Sequence, residues 1–333
     1  MITERLEAQA LSKPLPSVRD VARRMLCLQG QDLAAVKWAL AVRSKGATER
    51  DVEAAFNDRA IVRSWPLRGT LHALPAEDLG WLLALTHQKN LARHVKRHRD
   101  LGLTDADFAT AREIAERELA KSPLPREALL AAFERGKVST EGQRGVHLIW
   151  KLAQWGVLCL GDFVDGDQRF VLVDDWIRKP RKLTADEALE ELSKRYLAGH
   201  GPSTLEDLAW WTGLPKKTLS LSPAGERVGE RARPVHAPLL LPGFDEYFLG
   251  YTDRSAVLDA RHFDRIVPGG NGVFQPMMVH EGRIVGTWRR KVDQKKVTIT
   301  LLPFAKKSPA DFTAAAEAYG AFHGKPVTLA AGT

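Results

Sequence analysis

The segment on which the rest of the chain depends reads Met25-Leu26-Cys27-Leu28-Gln29-Gly30-Gln31-Asp32. The residues before it carry apolar side chains at spacings of three and four, which predicts a helix that faces a core. A second helical pattern follows it. Because glycine has no Cβ and permits backbone conformations that other residues resist, we expect Gly30 to break the helix between the two patterns.

Gln29 and Gln31 are two positions apart. On a helix their side chains would point away from each other, but on an extended segment they would share a face. Each amide offers two donors and one acceptor oxygen, enough to hold a water molecule or a base edge between them. An ordinary polar loop between helices is the alternative interpretation of the same spacing.

Composition limits the classes of protein to which the chain could belong. Its 333 residues exceed a typical single core, so we expect two or more domains. The net charge of +8 and the pI near 9.5 favour a polyanionic partner, nucleic acid first. Cys27 and Cys159 lie in apolar runs and are interpreted as buried thiols of a reducing compartment. No segment approaches 18 consecutive apolar residues, so we predict no membrane association and a cytoplasmic, nucleoid-associated protein.

Three stretches repeat one order of elements, in which helices are followed by a β-hairpin. The first has helices at about 18–28, 34–43 and 49–57 and strands at 60–65 and 70–74. The second has helices at about 105–120, 126–135 and 143–155 and strands at 157–163 and 169–173. The third, from 185 to about 250, has a helix at 189–197, a helix that begins at Thr204 and turns at Gly213, and a next helix that opens at Pro215. This is the order of a winged helix, a variant of helix-turn-helix. The period near 80 residues therefore predicts a tandem array.

The pattern changes to strands after Arg233. A hairpin is predicted to turn at Glu281-Gly282, with a further strand at 297–302 and a final helix at 311–322. The predicted fold class is thus α+β, with three tandem winged-helix units before a β-rich domain. The predicted domains are residues 1–100, which include a basic connecting helix, and residues 101–182, 183–236 and 237–333.

Two segments concentrate positive charge. The predicted helix from Leu79 to Asp100 carries cations at helical spacings, which suits a phosphate backbone, although a solvated linker helix is the alternative. The strand after Trp288 leads into a basic hairpin tip, which suits phosphates or a minor groove, although lysines also guard exposed strand edges. The candidate DNA contacts in these segments are Lys89, Arg93, Lys96, Arg97, Arg289, Arg290, Lys291, Lys295 and Lys296.

Common catalytic signatures are absent from the sequence. It contains no glycine-rich phosphate loop, HExxH, GxSxG or CxxC motif. His94 and His98 have no matching acid, so we predict neither a metal site nor a cofactor. Asp245 and Glu246 are adjacent and would face opposite sides of a strand, so they do not form an acid–base couple, though either could act alone.

Four motifs in order, spread over nearly the whole chain, resemble the AlkZ and YcaQ family of bacterial DNA glycosylases. They are Leu28-Gln29-Gly30-Gln31-Asp32; Arg63-Ser64-Trp65 with Arg68-Gly69-Thr70-Leu71-His72; the run from Leu241 to Tyr251 with Asp253-Arg254-Ser255; and Gly286-Thr287-Trp288-Arg289-Arg290. The resemblance implies three winged helices and a C-terminal β-barrel around a DNA channel. It also implies excision of alkylated bases, including N7-alkylguanine, N3-alkyladenine and interstrand crosslinks.

The resemblance also implies which residues act. The functional motif is Gln-x-Gln in the AlkZ branch and Gln-x-Asp in the YcaQ branch, so Gln29 and Gln31 fit the AlkZ branch as the catalytic pair. The middle residue is often bulkier than Gly30. Asp32 and Asp245 are weaker candidates for assisting the pair. The DNA-contacting candidates from the second motif are Arg63, Arg68 and His72.

The expected chemistry is hydrolysis by a monofunctional glycosylase. Alkylation at N7 or N3 places positive charge on the base and weakens the N-glycosidic bond, so the enzyme must mainly position a water molecule. We expect no Schiff-base lysine, a monomer, and double-stranded DNA with alkylated bases as substrate. A crosslink is too bulky for ordinary base flipping, which predicts glutamines on an open surface. A non-enzymatic winged-helix regulator and a damage-binding protein are the alternatives.

Overall fold

The computed structural model describes residues 1–221, 237–306 and 310–331. The chain divides into two compact units: unit 1 comprises Met1–Val52 and Glu191–Thr333, and unit 2 comprises Glu53–Glu190. The boundary near residue 52 falls inside the first predicted winged helix. The first helices of that winged helix therefore belong to unit 1, and its hairpin belongs to unit 2. The finer division into four domains stays a prediction.

The described residues form runs of helices separated by short groups of strands. The helices are α1 (Ile2–Ala8), α2 (Val18–Met25), α3 (Leu33–Ala41), α4 (Glu49–Asn57), α5 (Leu79–Asp100), α6 (Asp105–Leu119), α7 (Arg126–Arg135), α8 (Arg144–Gln154), α9 (Val173–Trp176), α10 (Ala185–His200), α11 (Leu205–Thr212), α12 (Glu246–Leu249), α13 (Phe263–Ile266) and α14 (Thr313–Phe322). The strands are β1 (Leu28–Gln29), β2 (Ile61–Ser64), β3 (His72–Pro75), β4 (Leu158–Val164), β5 (Asp167–Leu172), β6 (Leu239–Leu241), β7 (Met277–His280), β8 (Arg283–Val292), β9 (Val297–Pro303) and β10 (Val327–Ala331). The fold is therefore mixed α+β, as predicted. None of the helices in these residues is long and apolar enough to cross a membrane.

Local capping explains where several helices begin. At α6, Thr104 Oγ1 accepts a hydrogen bond from the Asp107 backbone N–H, while the Asp107 carboxylate accepts one from the Thr104 backbone N–H. Thr204 and Asp207 form the same reciprocal pair at α11. Such capping boxes satisfy two backbone donors that the first turn leaves unpaired. The helix starts are thus encoded within four residues of sequence.

Unit 2 contains an antiparallel sheet in which β3, β2, β4 and β5 are neighbours in that order. The β4–β5 hairpin turns at Asp165 and Gly166, whose φ angles of 52° and 85° are those of the two-residue turns that suit twisted strands. Helices α6, α7 and α8 pack their apolar faces into one core with Leu158 and Phe170. The predicted helices and hairpin of this stretch are confirmed.

Unit 1 contains a sheet with the order β10-β9-β8-β7-β6, in which only β9 and β10 run parallel. The β7–β8 hairpin turns at Glu281 and Gly282, with φ angles of 48° and 73°, as the sequence predicts. Among the described residues, the outer strands β6 and β10 pair only with their inner neighbours, and α14 packs against both. The strands therefore form an open sheet, and the closed barrel that the resemblance implied is not found.

The third predicted winged helix is less regular than the second. Helix α11 ends at Gly213, whose φ of 72° is the left-handed conformation typical of a helix C-terminus. The next predicted helix is a single 3-10 turn at Lys216–Thr218. Residues 222–236, the end of the predicted third domain, lie outside the described residues. The number of winged-helix units therefore stays a prediction.

Candidate active site and nucleic-acid interface

The backbone of the Gln29-Gly30-Gln31 motif is shaped by a residue that precedes it. Helix α2 ends at Met25 because Leu26 adopts φ 61° and ψ −58°, the conformation at the centre of a γ-turn, in which the Cys27 N–H donates to the Met25 carbonyl oxygen over 2.7 Å. This region is unfavourable for a leucine, and such residues persist only where the surroundings hold them in place. Leu26 is fully buried, which supplies that restraint. The helix thus breaks before Gly30, and the chain is already extended at β1.

The two glutamine side chains meet. Gln29 Nε2 donates a hydrogen bond to Gln31 Oε1 over 3.0 Å, so the prediction that the two amides address one place is confirmed. Gln29 is only 8% exposed, whereas Gln31 is exposed. The expectation of an open surface therefore holds for Gln31 and not for Gln29. The pair leads from the protein interior to the solvent, where a substrate can reach it.

Asp245 is the N-cap of helix α12 rather than a residue on a strand. Its Oδ1 and Oδ2 accept hydrogen bonds from Arg43 over 2.7 and 2.9 Å, and Oδ1 also accepts one from the Tyr247 backbone N–H. Both side chains of the ion pair are fully buried. A carboxylate held in this way has a structural role, which argues against the predicted assistance to the glutamines.

Glu246 is the residue that sequence reasoning did not connect to the motif. It is fully buried, and its Oε1 accepts a hydrogen bond from the Gln29 backbone N–H over 3.2 Å. Its Oε2 lies 3.0 Å from the indole Nε1 of Trp211 and 3.3 Å from Nε2 of His200. Gln29 and Glu246 are 217 positions apart, so local patterns carry no signal of this contact.

Asp32 has two different neighbours. Its Oδ1 caps helix α3 by accepting a hydrogen bond from the Ala35 backbone N–H over 3.0 Å. Its Oδ2 lies 3.5 Å from a guanidinium nitrogen of Arg290 on β8. The Asp32 side chain is 44% exposed, so it remains reachable beside Gln31.

The β8–β9 hairpin belongs to the same unit as the glutamines. Arg290 is half-buried beside Asp32, and the other four predicted DNA contacts of the hairpin are exposed: Arg289, Lys291, Lys295 and Lys296. Asp293 Oδ1 shapes the tip by accepting hydrogen bonds from the backbone N–H groups of Lys295 and Lys296, each over 2.9 Å. These bonds lower the pKa of Asp293. The tip is a fixed turn that presents positive charge to solvent.

Helix α5 presents the other basic surface, in unit 2. Arg93, Lys96 and Arg97 are exposed, and Arg97 also donates to Gln143 Oε1 over 2.6 Å. Burial, with a smaller contribution from the positive charge of Arg93, lowers the pKa of the half-buried Lys89. Cations on one exposed face can follow a phosphate backbone.

The second motif contributes less to an interface than the sequence predicted. Arg63 and Arg68 are half-buried. His72 is fully buried, and its Nδ1 lies 2.8 Å from the Thr70 carbonyl oxygen. A side chain without accessible surface cannot contact DNA, so the predicted DNA contact of His72 is corrected to a structural role.

A histidine cluster on α5 and α8 is expected to lower the stability of unit 2 in acid. The ring of His98 lies 5.2 Å from that of His147. Burial lowers the pKa of His98 to about 4, and the positive charges of His147, Lys151 and His94 contribute to the same shift. The unfolded chain would bind this proton near pH 6.5. Stability is therefore lost as the pH falls from about 6.5 towards about 4, since only the unfolded state takes up the proton.

We expect His98→Gln to reduce the difference between the free energies of unfolding at pH 7 and pH 5, measured by urea unfolding. Equal pH dependence in both proteins would contradict the assignment.

Comparisons with known proteins identify a family and a similar fold. The family model described as DNA glycosylase AlkZ-like matches residues 22–322. An interstrand DNA cross-link repair glycosylase of Streptomyces sahachiroi is 27% identical over an alignment 341 positions long, which spans 92% of this chain and 90% of that protein. The solved structure of Streptomyces sahachiroi DNA glycosylase AlkZ has a similar fold, with a TM-score of 0.78, 24% identity and coverage of 99% of this chain and 98% of that one. The match of one family model from residue 22 to residue 322 places this chain in the AlkZ-like DNA glycosylase family.

Proposed function

We propose that this protein is a monofunctional DNA glycosylase, acting as a monomer, that hydrolyses the N-glycosidic bond of alkylated bases in double-stranded DNA. The observation that carries the proposal is the hydrogen bond between Gln29 Nε2 and Gln31 Oε1, which fixes two amides side by side at the solvent boundary. Two oriented amides can hold one water molecule through an acceptor oxygen and a donor N–H.

The proposed reaction needs positioning more than acid catalysis. An alkyl group at N7 or N3 leaves the base cationic, so the electrons of the breaking C1′–N bond neutralise the departing base without a proton. The sugar becomes cationic at C1′, and the water held by Gln29 and Gln31 adds there and loses a proton to solvent or to the Asp32 carboxylate. Holding the water in line removes much of the entropic barrier. No step passes through a lysine imine.

The proposed substrate range rests on the exposure of Gln31 and on the activity named for a similar protein. Gln31 is exposed, and an exposed amide can reach a lesion that stays within the duplex. The similar Streptomyces protein is named an interstrand DNA cross-link repair glycosylase. We therefore propose N7-alkylguanine and N3-alkyladenine as substrates, and crosslinked bases as a further class.

Binding to DNA is proposed to use the basic residues of both units. The β8–β9 hairpin supplies exposed cations in unit 1, and α5 supplies them in unit 2. Three winged-helix units followed by a C-terminal β-rich domain remain the proposed architecture that carries these surfaces. The affinity should then fall with salt, because each neutralised phosphate releases counterions.

Removing the charge of α5 tests its role. We expect the triple variant Arg93→Ala/Lys96→Ala/Arg97→Ala to bind DNA more weakly, with the slope of log affinity against log salt reduced by about 0.9 for each lost phosphate contact. The matched control is Arg112→Ala/Arg117→Ala, which removes exposed α6 cations that are already paired with Glu116 and Glu118. Fluorescence anisotropy measures the DNA affinity of both variants at salt concentrations from about 50 to about 300 mM, and the slopes follow from these affinities. Identical slopes in the triple variant and wild type would remove α5 from the interface.

The decisive experiment for the proposed function measures base release. Duplex DNA with N7-methylguanine is incubated with wild type or with Gln29→Ala/Gln31→Ala, and abasic sites are revealed by alkali cleavage. We expect cleavage with wild type only. Borohydride added during the reaction should trap no protein–DNA adduct, because a monofunctional enzyme forms no imine.

Other outcomes separate the alternatives. No release from N7-methylguanine, but unhooking of a crosslinked duplex, would restrict the function to bulky lesions. A sequence-specific footprint without release from either substrate would contradict the glycosylase proposal. It would support a winged-helix regulator instead.

A further inference from the structure

The Gln29-Gly30-Gln31 motif is anchored by a buried carboxylate from a distant part of unit 1. Glu246 is fully buried on α12, and its Oε1 accepts the Gln29 backbone N–H over 3.2 Å. Burial of a carboxylate is costly unless hydrogen bonds replace its hydration. The chain therefore retains this carboxylate through contacts with nitrogen atoms of three different elements, β1, α11 and α10.

The donors to Glu246 are themselves held in place. Trp211 Nε1 donates to Oε2 over 3.0 Å, and His200 Nε2 lies 3.3 Å from the same oxygen. The His200 ring stacks on Tyr196 with centroids 4.6 Å apart, and its backbone carbonyl accepts a hydrogen bond from the Tyr251 hydroxyl. Nδ1 of His200 is buried and has no hydrogen-bond partner among the described residues, which favours the neutral tautomer with its proton on Nε2. Glu246 is thus oriented by rigid neighbours.

Two hydrogen bonds connect Glu246 to the amides of Gln29 and Gln31. Glu246 fixes the Gln29 backbone at the end of β1, and Gln29 Nε2 then orients Gln31 through its 3.0 Å hydrogen bond. A displacement of about 1 Å at such a point can cost about 100-fold in rate. We propose that Glu246 is a positioning residue that holds the Gln29–Gln31 pair in its reactive alignment. This inference rests on the proposed glycosylase function.

Glu246→Gln tests the hydrogen bonds without removing volume. A backbone N–H and an indole N–H can only donate, but a glutamine side chain offers one oxygen in place of two. In this variant either Gln29 or Trp211 must therefore face an NH₂ group. We expect the single-turnover rate of base release to fall about 10- to 100-fold, while the Kd for the lesion duplex stays within about threefold.

Adding Trp211→Phe should remove the conflict. The glutamine can then direct its oxygen to the Gln29 N–H and its NH₂ to His200 Nε2. To accept this bond, His200 must move its proton to the buried Nδ1, which has no partner among the described residues, so the rescue should be partial. The double variant Glu246→Gln/Trp211→Phe should release the base at least about fivefold faster than Glu246→Gln, a coupling that independent effects would not produce. Glu206→Gln is the matched control: Glu206 is an exposed residue of α11 that pairs with Lys216, and its replacement should leave the rate unchanged.

A readout without catalysis keeps the inference separate from the proposed function. The backbone amide resonance of Gln29 should move in Glu246→Gln and return towards its wild-type position in the double variant, whether or not the protein releases bases. If wild type releases no base, the proposed function fails and the amide resonance still decides the contact. If wild type is active but folded Glu246→Gln reacts as fast as wild type, the positioning role alone is overturned. An equal loss of affinity and of rate in Glu246→Gln would overturn it too.

The double variant also covers the case in which Glu246→Gln does not fold. A folded double variant that reacts about tenfold or more slowly than Trp211→Phe would then overturn the positioning role.

Discussion

Replacing Gln31 with alanine is expected to lower the single-turnover rate of base release by about 100-fold or more, since a preorganised transition-state contact is typically worth that much. Gln31 is exposed, and its Oε1 is the acceptor that orients Gln29 Nε2. The alanine variant therefore loses one amide and frees the other to rotate. Because the side chain is at the surface, folding should be preserved.

The measurement uses saturating enzyme on N7-methylguanine duplex, so that a change in affinity does not affect the rate. Gln88→Ala is the matched control, because it makes the same substitution at an exposed position on α5. We expect the control to react at the wild-type rate. A Gln31→Ala protein within threefold of wild type would exclude the glutamine pair as the holder of the water.

Replacing Asp245 with alanine is expected to destabilise the protein by about 3–5 kcal/mol, the usual loss when one partner of a buried ion pair is removed. The Arg43 and Asp245 side chains are both fully buried, and Arg43 Nη2 lies 2.7 Å from Asp245 Oδ1. Without the carboxylate, the guanidinium would be left buried and unpaired. The start of α12 would also lose its cap at the Tyr247 backbone N–H.

Urea unfolding, followed by tryptophan fluorescence, measures this loss. Glu116→Ala is the control, because its pair with Arg112 is exposed and should be worth at most about 1 kcal/mol. Arg43→Met/Asp245→Ala should be less destabilised than Asp245→Ala, since the unpaired charge is gone. If Asp245→Ala were as stable as the control, the ion pair would not carry the stability assigned to it.

Features determined by neighbouring residues were predictable from the sequence. The periodicity of apolar residues predicted α6, α7 and α8 to within about two residues at each end, as expected for local signals. The hairpin turn at Glu281-Gly282 was predicted because glycine accepts the positive φ angles that such turns require. The meeting of Gln29 and Gln31 was also predictable, because alternate side chains share a face on an extended backbone.

Other features were decided by contacts between distant segments. The helix break belongs to Leu26 rather than Gly30, because a buried site holds a leucine in a conformation that local preference disfavours. His72 was predicted to contact DNA, yet it is buried, since burial depends on all the elements that cover a strand. The β-rich domain is an open sheet because α14 packs against both of its outer strands.

By itself, the sequence determined the helices, the turns, the basic surfaces and the pairing of the two glutamines, since each depends on residues a few positions apart. Only the tertiary structure decided what the adjacent carboxylates do: Asp245 binds Arg43 and Glu246 holds the backbone of Gln29. These partners are 202 and 217 positions away. No local pattern encodes such contacts, because they exist only once the packing of the whole unit brings the segments together and removes water from the carboxylates.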